Sequence, residues 1–338
     1  MPVKFSTGLP NCREGRQNLI GSVKGEDMVS FAKLADELGY YSLWPNEFFV
    51  TFRDVAARYA EPPTLYDTIV TMAYVLAATR RIRVTPSTIV LPLHEPLLLS
   101  RQLATLDVFS GGRVTLGIGL GGSGEEFRQL FGTLPHPHRG RMMDEYMQAL
   151  RVLWTERLAT FKGEFVSFEE AETHPKPSQQ PFPIFMAGHA EGVFRRLAKY
   201  GQGWIDSSMP PAELRSYWER LRGYMAEAGR GGEPLELARQ FYVSIAETEE
   251  EARANHAASV PPPTRPQAAA AAPAAPPAAP GSPQERNLIG TPEFFRERLK
   301  EYVATGVTEL CMIFFSPNNQ SAERQLRLFA KEVVPAFA

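Results

Sequence analysis

The sequence has little cysteine, almost no net charge and no long apolar run. Its 338 residues include only Cys12 and Cys311, too far apart in the chain to predict a disulfide framework or a C-x-x-C metal site. A net charge of −2 argues against nucleic acid or an anionic membrane as a partner. No run approaches the roughly 18 apolar residues of a membrane span, and the first residues, MPVKFSTGLP, lack a signal-peptide pattern. We therefore expect a cytoplasmic protein.

The common catalytic and metal-binding motifs are also missing. There is no H-E-x-x-H zinc motif and no G-x-x-x-x-G-K-[ST] phosphate loop, and Ser123 in GGSGE lacks the final glycine of a nucleophile elbow. His136 and His138 form a close pair in a proline-bounded loop, where a surface position is expected rather than a metal site. An enzyme of this size with neither nucleophile nor metal often uses an organic cofactor.

Apolar strand-like runs alternate with helical patterns along the chain. Strands are predicted at residues 3–9, 41–44, 82–91, 114–119, 184–187, 203–207, 240–246 and 309–315. Helices are predicted at residues 27–38, 66–78, 97–108, 142–154, 192–200, 212–228, 292–305 and 323–334. Such alternation requires a parallel sheet with helical crossovers. Eight units favour an α/β fold of the (β/α)₈ TIM barrel type, with an open doubly wound sheet as the alternative.

Residues 260–283, VPPPTRPQAAAAAPAAPPAAPGSP, break this pattern. Alanine and proline cannot bury a large side chain, and the prolines prevent a continuous helix, so the segment is predicted to be a disordered, flexible insertion. The helices and strand that follow it are needed to close the barrel. Residues 1–338 are therefore predicted to form one barrel domain that carries this insertion.

A glycine-rich stretch, GGRVTLGIGLGG, occupies residues 111–122 and contains G-x-G-x-x-G. A dinucleotide-binding turn would follow the first strand and open a helix directly, whereas this one follows the fourth strand, so a nicotinamide site is disfavoured. Glycines at the carboxyl end of a barrel strand let a ligand approach the backbone; a tight connection without a ligand is the alternative. A second glycine turn, AGHAEG at residues 187–192, precedes a helix whose free amides favour a phosphate.

Several stretches, in order along the chain, resemble the bacterial luciferase-like monooxygenase superfamily of flavin- and deazaflavin-dependent oxidoreductases. They include ELGYYSLW, ATRRIRVTPSTIVLPLHEP, RQLATLDVFSGGRVTLGIGLG, PKPSQQPFPIFMAGH and NLIGTPEFFRERL. The resemblance covers nearly everything except the Ala/Pro-rich segment. It implies a luciferase-like barrel, usually a homodimer, that holds a reduced flavin at the carboxyl mouth.

The resemblance also implies which residues bind the cofactor. The isoalloxazine ring is expected to lean on an irregular third strand, often with a cis peptide between non-proline residues, which matches Ser87 and Thr88. The phosphate tail is expected at the glycine turns after strands four and five. The matching residues are Leu120, Gly121, Gly122, Gly188, His189 and Ala190.

The end of the second strand departs from the family pattern of an acidic residue followed by histidine. The sequence WPNEFF places Phe48 where the histidine would be and keeps a carboxylate at Glu47. Glu47, with Asn46, is the expected catalytic group, as a proton donor or orienting residue; an ion pair at the barrel rim is the alternative. Four aromatic residues are expected to line an apolar substrate pocket: Trp44, Phe48, Phe49 and Phe52. For Trp44, ordinary core packing is an equal alternative.

Three functions are compatible with these features. The first is a two-component monooxygenase, in which a separate flavin reductase supplies reduced FMN and O₂ oxidises a small organic substrate inside a water-shielded barrel. The second is hydride transfer with the deazaflavin coenzyme F-420, although the loss of the histidine disfavours its alcohol dehydrogenase type. The third is a flavin-binding protein without catalysis, which only Phe48 supports.

Overall fold

The computed structural model describes residues 2–122, 124–132, 138–260 and 287–337. Ser123, His136 and all of the predicted Ala/Pro-rich insertion except Val260 lie outside these ranges. Within the described ranges, no helix is long and apolar enough to cross a membrane.

Twelve strands lie within the described ranges, and nine of them build a closed parallel barrel. In chain order they are β1 Lys4–Gly8, β2 Ser42–Trp44, β3 Arg83–Val84, β4 Ile89–Val90, β5 Leu116–Gly119, β6 Ala159–Lys162, β7 Ser167–Ala171, β8 Ile184–Ala187, β9 Gly203–Asp206, β10 Glu236–Ile245, β11 Asn287–Gly290 and β12 Glu309–Phe314. The sheet order is β3-β2-β1-β12-β10-β9-β8-β5-β4. A parallel bridge between Val84 of β3 and Val114, two residues before β5, closes the ring. β3 and β4 are halves of one strand, so the predicted (β/α)₈ TIM barrel is confirmed.

Eleven helices are described, and eight of them were predicted. They are α1 Gly25–Glu37, α2 Arg53–Arg58, α3 Thr68–Ala78, α4 Pro96–Ser110, α5 Gly124–Phe131, α6 Arg139–Thr155, α7 Glu191–Tyr200, α8 Pro211–Glu227, α9 Glu249–Ser259, α10 Pro292–Val303 and α11 Asn319–Glu332. Local capping sets several ends: Asp67 accepts from the Val70 N–H at 2.8 Å at the start of α3. Gly111 ends α4 in the left-handed region, with φ +67°.

Five elements were not predicted: the helices α2, α5 and α9, the antiparallel β6–β7 hairpin, and β11, which pairs with β10. Of these, α2 and α5 follow the carboxyl ends of β2 and β5 in the chain. They therefore add to the end of the barrel where enzymes of this fold carry their active sites.

The barrel interior is filled by a separate apolar layer. Its residues are Trp44, Phe185, Ile205, Ala238, Cys311 and Ile313. Trp44 is 0% exposed, and its indole N–H donates to Glu309 Oε1 at 3.0 Å. Trp44 thus packs in the interior, which is the alternative considered for it.

Candidate active site and cofactor site

The third barrel strand is irregular at the carboxyl mouth. Its pairing with the neighbouring strands is interrupted between β3 and β4. Within this interruption the Ser87–Thr88 peptide bond is cis, as the resemblance implies for these two residues. The Ser87 N–H donates to the Pro45 carbonyl at 2.8 Å, and its Oγ donates to Gln240 Oε1 at 2.9 Å. The bulge is therefore tied to the second and seventh strands of the barrel.

The first two glycines of GIGLGG have a packing role. A Cβ atom at Gly117 would lie 1.9 Å from the Pro86 carbonyl oxygen, and one at Gly119 would lie 2.7 Å from Thr88 Oγ1. Both distances are too short for real contacts, so glycine lets the fourth strand fit against the bulge. This half of the glycine run needs no ligand to explain it.

The last two glycines differ from each other. Gly121 has φ +73°, and a Cβ there would meet Val90 Cγ1 at 2.7 Å and Phe127 at 3.2 Å, so packing and backbone conformation require this glycine. These contacts account for the glycine without a ligand, and a cofactor-binding role for Gly121 stays a prediction. Gly122 is exposed, and a Cβ there would meet no atom within 4 Å. The open side of this turn therefore lies at Gly122.

Arg139, at the start of α6, lies beside the same turn. Its Nη1 donates to the Gly121 carbonyl at 3.0 Å, and its guanidinium lies 4.0 Å from the centroid of the Phe127 ring. Arg139 is half-buried, and burial lowers its pKa, with the Glu126 carboxylate acting in the opposite direction. The sequence reasoning missed this cation, which the RGR at residues 139–141 could have indicated.

The second glycine turn leads into α7. Gly188 has φ +110°, and its carbonyl accepts from Trp204 Nε1 at 2.7 Å. Ala190 is the N-cap residue, and no side chain caps the helix, which leaves its first amides for solvent or a ligand. Arg196 of α7 pairs with Asp144 of α6 at 2.7 and 3.0 Å. α7 therefore packs on the helix that carries Arg139.

These elements fit an anionic group. Three features adjoin the first turns of α6 and α7: the open Gly122, the Arg139 guanidinium and the uncapped start of α7. A guanidinium and helix amides are the donors that a phosphate prefers. His189 is half-buried, with its ring centroid 6.2 Å from that of Tyr217. We call the set Leu120–Gly122, Arg139 and Gly188–Ala190 the phosphate cradle.

Glu47 is buried and faces the end of the third strand. Its Oε2 accepts from the Val90 N–H at 2.7 Å, and its Oε1 lies 2.9 Å from His94 Nε2. The His94 side chain is 14% exposed. An imidazole therefore stands beside the carboxylate even though Phe48 occupies the family's histidine position. Sequence reasoning missed His94, because the two residues are 47 positions apart in the chain.

The predicted aromatic pocket residues other than Trp44 are half-buried. The rings of Phe48 and Phe52 meet edge to face at 5.3 Å, and the Arg16 guanidinium lies 5.2 and 5.6 Å from their centroids. The Phe49 ring lies 5.5 Å from that of His94. Of the three rings, Phe49 therefore adjoins the Glu47–His94 pair, whereas Phe48 and Phe52 pack with Arg16.

A second buried carboxylate lies close to this pair. Glu126 accepts from the Phe49 N–H at 2.8 Å. Burial raises the pKa of Glu126, the Phe49 bond opposes this, and the neighbouring Glu47 and Glu125 raise the pKa further. Glu126 is therefore a buried carboxyl group near Glu47 that holds its proton more tightly than an exposed glutamate does.

Asn46 is fixed by the loop after β1. Its main-chain N–H donates to Asn11 Oδ1 at 2.9 Å, and its side-chain oxygen accepts from Arg13. Thr68 Oγ1 donates to its carbonyl at 2.6 Å. The structure therefore brings Asn46, Glu47 and the Ser87–Thr88 bulge to one end of the barrel. It adds Arg13 and His94, which the sequence reasoning did not single out.

Comparison with known proteins identifies the family. A family model described as luciferase-like monooxygenase matches residues 3–309. The FMNH(2)-dependent dimethylsulfone monooxygenase of Pseudomonas putida is 27% identical, and the alignment covers 99% of this chain and 95% of that protein. The F420-dependent glucose-6-phosphate dehydrogenase of Kineococcus radiotolerans is 30% identical, over 56% of this chain and 54% of that protein.

The fold has a close structural counterpart. The crystal structure of the monooxygenase RslO1 from Streptomyces bottropensis superposes with a TM-score of 0.79 at 22% identity, covering 99% of this chain and 100% of that one. Flavin- and F420-dependent enzymes both occur among the relatives, so the chain is an oxidoreductase. It belongs to the luciferase-like monooxygenase family.

Proposed function

We propose that this protein is a two-component monooxygenase that uses reduced FMN, supplied by a separate flavin reductase, and O₂ to oxygenate a small organic substrate. The observation that carries the proposal is the similarity to an FMNH(2)-dependent monooxygenase over 99% of the chain. The phosphate cradle supports it, because its donors suit the phosphate of FMN.

In this proposal the cradle residues hold the FMN phosphate, and Ser87 and Thr88 support the ring system. Bound reduced FMN supplies the electrons and the site of oxygen activation. One atom of O₂ enters the substrate and the other leaves as water, so the site must provide and accept protons. His94 is suited to this, since Glu47 holds its Nε2 and leaves Nδ1 toward other partners. Half-buried Phe48, Phe49 and Phe52 limit the access of water.

Hydride transfer with coenzyme F-420 is the second candidate. The 30% identity to an F420-dependent dehydrogenase favours it, but that similarity covers 56% of the chain. The cradle alone does not discriminate, because the deazaflavin also carries a phosphate. The Glu47–His94 pair places an imidazole in the mouth, so Phe48 by itself does not disfavour this chemistry. Both candidates assign catalysis to the protein, in agreement with its family.

We also propose that the protein is a cytoplasmic homodimer. Residues of α3 at helical spacing form an exposed, mostly small apolar stripe: Val70, Ala73, Tyr74 and Ala77. Phe109, on the neighbouring helix α4, is 83% exposed. Burying this surface against a second copy would remove it from water. The free, buried Cys12 and Cys311 suit a reducing compartment.

The cradle is tested by two arginines two positions apart on α6. Arg139→Gln should weaken FMN binding about tenfold or more, because a hydrogen bond to a charged group contributes about 1.5–3 kcal/mol. Arg141→Gln is the matched control, since Arg141 is exposed and pairs with Glu164; its FMN affinity should stay within about twofold of wild type. Equal FMN affinities of the two variants, measured by fluorescence titration, would remove the cradle from the proposal.

A further inference from the structure

Arg13 is a buried cation whose protein partners are all neutral. Arg13 lies in the loop after β1 and is only 2% exposed. Its Nε donates to the Leu9 carbonyl at 3.1 Å, and its Nη2 donates to the Trp44 carbonyl at 3.5 Å and to Asn46 Oδ1. Among the side chains that the structure describes, no carboxylate lies within ion-pair distance of it. Burial lowers its pKa, and the nearby Tyr242 hydroxyl opposes that effect.

This lack of a counterion matters because arginine remains charged in proteins. Taking a charge out of water is costly unless an opposite charge compensates it. The barrel below the mouth thus carries a positive charge that neutral oxygens solvate but do not neutralise. An anion that reaches this point would gain from the charge.

Arg13 also orients Asn46 toward the mouth. Because Asn46 Oδ1 accepts from Arg13, its Nδ2 must lie on the other side of the amide. Nδ2 has no hydrogen-bond partner within the part of the chain that is described, and Asn46 is half-exposed. The main chain of Asn46 is fixed by Asn11 and Thr68. The amide therefore offers two N–H donors in a fixed direction.

Tyr242 offers a second donor beside the same cation. Its hydroxyl accepts from Gln240 Nε2 at 3.3 Å, and the Arg13 guanidinium, which can only donate, favours it as an acceptor. The Gln240 amide is oriented by Ser87 Oγ, which donates to its Oε1 at 2.9 Å. Since Gln240 donates to this oxygen, the phenol hydrogen is left to point elsewhere, and Tyr242 is half-exposed. A series of hydrogen bonds thus runs from the Ser87 bulge through Gln240 to Tyr242, whose hydroxyl lies near Arg13.

We propose that Asn46, Tyr242 and Arg13 form a recognition site for an anionic oxygen group of the substrate, a carboxylate or sulfonate. Asn46 Nδ2 and the Tyr242 hydroxyl donate to its oxygens. Arg13 is a positioning residue: it fixes the Asn46 amide and supplies the compensating charge beside both donors. The inference rests on the proposed function, because it places the substrate in the mouth beside the Ser87 bulge, and it adds the substrate's chemical class.

Two probes of nearly the same shape separate charge from size: benzenesulfonate and methyl phenyl sulfone. Calorimetric titration of the wild-type protein saturated with FMN should give at least about tenfold tighter binding of benzenesulfonate. Tyr242→Phe and Asn46→Ala should each weaken benzenesulfonate about tenfold, since bonds to charged groups contribute about 1.5–3 kcal/mol, and should weaken the neutral sulfone less. Arg13→Gln should remove the preference for the anion. Arg13 is buried, so its substitution affects folding directly. If Arg13→Gln does not fold, Tyr242→Phe and Asn46→Ala still test the site.

Arg139→Gln is the control for anion binding at the cradle. When the FMN concentration is raised to keep this variant saturated, its benzenesulfonate affinity should equal that of wild type. A loss of affinity in Arg139→Gln instead of in Tyr242→Phe would assign the anion to the cradle and overturn the proposal. Equal affinities of the two probes for wild type would also overturn it. The proposal would also be overturned if Tyr242→Phe lowered the affinity for FMN but not that for benzenesulfonate, because Tyr242 would then bind the cofactor. If the wild-type protein binds no FMN but still prefers benzenesulfonate when it is titrated without FMN, the proposed function is contradicted and this site stands.

Discussion

Glu309 makes the stability of the barrel depend on pH in a direction that can be worked out. It begins β12, is 1% exposed, and its Oε1 accepts from Ser6 Oγ at 2.5 Å and from the Trp44 indole at 3.0 Å. Burial raises its pKa from 4.5 to about 7, while the bonds from Ser6 and Trp44 and the charge of Lys4 act in the opposite direction. The folded protein therefore holds this proton more tightly than the unfolded chain does.

The difference between 4.5 and about 7 corresponds to about 3 kcal/mol. Because the folded-state pKa is the higher one, this stabilisation is fully present below about pH 4.5 and is lost as the pH rises through about 7. Glu309→Gln stays neutral at every pH. The free energy of unfolding of wild type minus that of the variant should therefore fall by about 3 kcal/mol between about pH 4.5 and about pH 8.

Chemical denaturation of both proteins across this pH range measures the difference in free energy of unfolding directly. All other titratable groups are the same in the two proteins, so their contributions cancel in the difference. Glu164→Gln is the control, because Glu164 is exposed and pairs only at the surface with Arg141. Its difference from wild type should stay within about 0.5 kcal/mol at each pH. A wild-type minus Glu309→Gln difference that does not vary with pH would show that Glu309 is not protonated by burial.

Three further predictions concern the cofactor site, catalysis and association. Gly121→Ala should lower the free energy of unfolding by about 1–3 kcal/mol, because of its positive φ and the contact with Val90. Gly122→Ala should leave the free energy of unfolding within about 0.5 kcal/mol of wild type but weaken FMN binding. If denaturation and FMN titration show instead that Gly122→Ala destabilises the fold and Gly121→Ala weakens FMN binding, the cradle is contradicted. His94→Gln should lower kcat about 100-fold or more with FMN affinity unchanged, and steady-state rates within about threefold of wild type would exclude a proton-transfer role. Phe109→Glu should shift the protein toward monomer in analytical ultracentrifugation, whereas the exposed control Phe294→Glu should not; no shift would exclude the α3–α4 surface.

The barrel could be predicted because its elements have strong local signals. Apolar periodicity and capping residues place all eight predicted strands and helices within four residues of their actual ends. The helices α2 and α5 are only six and eight residues long, which is short for a periodic pattern, and a tertiary contact, the Phe49–Glu126 bond, helps to hold α5. The first turn of α6 was also missed, because the predicted helix started at residue 142 and left out Arg139.

The site was predictable only where one short stretch carries the function. The two glycine turns and the Ser87–Thr88 bulge follow from local sequence and from the resemblance. Distant pairs do not: Glu47 meets His94, and Arg13 meets Asn46, only because the ends of different strands converge at the mouth. The roles of the glycines needed the structure as well, because the atoms that exclude a Cβ at Gly117 belong to another strand.

The central claim is that this family member works with reduced FMN. Anaerobic titration of one protein preparation with reduced FMN and, separately, with reduced coenzyme F-420 tests it most directly, with binding followed by fluorescence. We expect reduced FMN to bind at least about tenfold more tightly, and Arg139→Gln to lose most of that affinity. Tighter binding of the deazaflavin by wild type would contradict the proposed function and assign the barrel to hydride transfer.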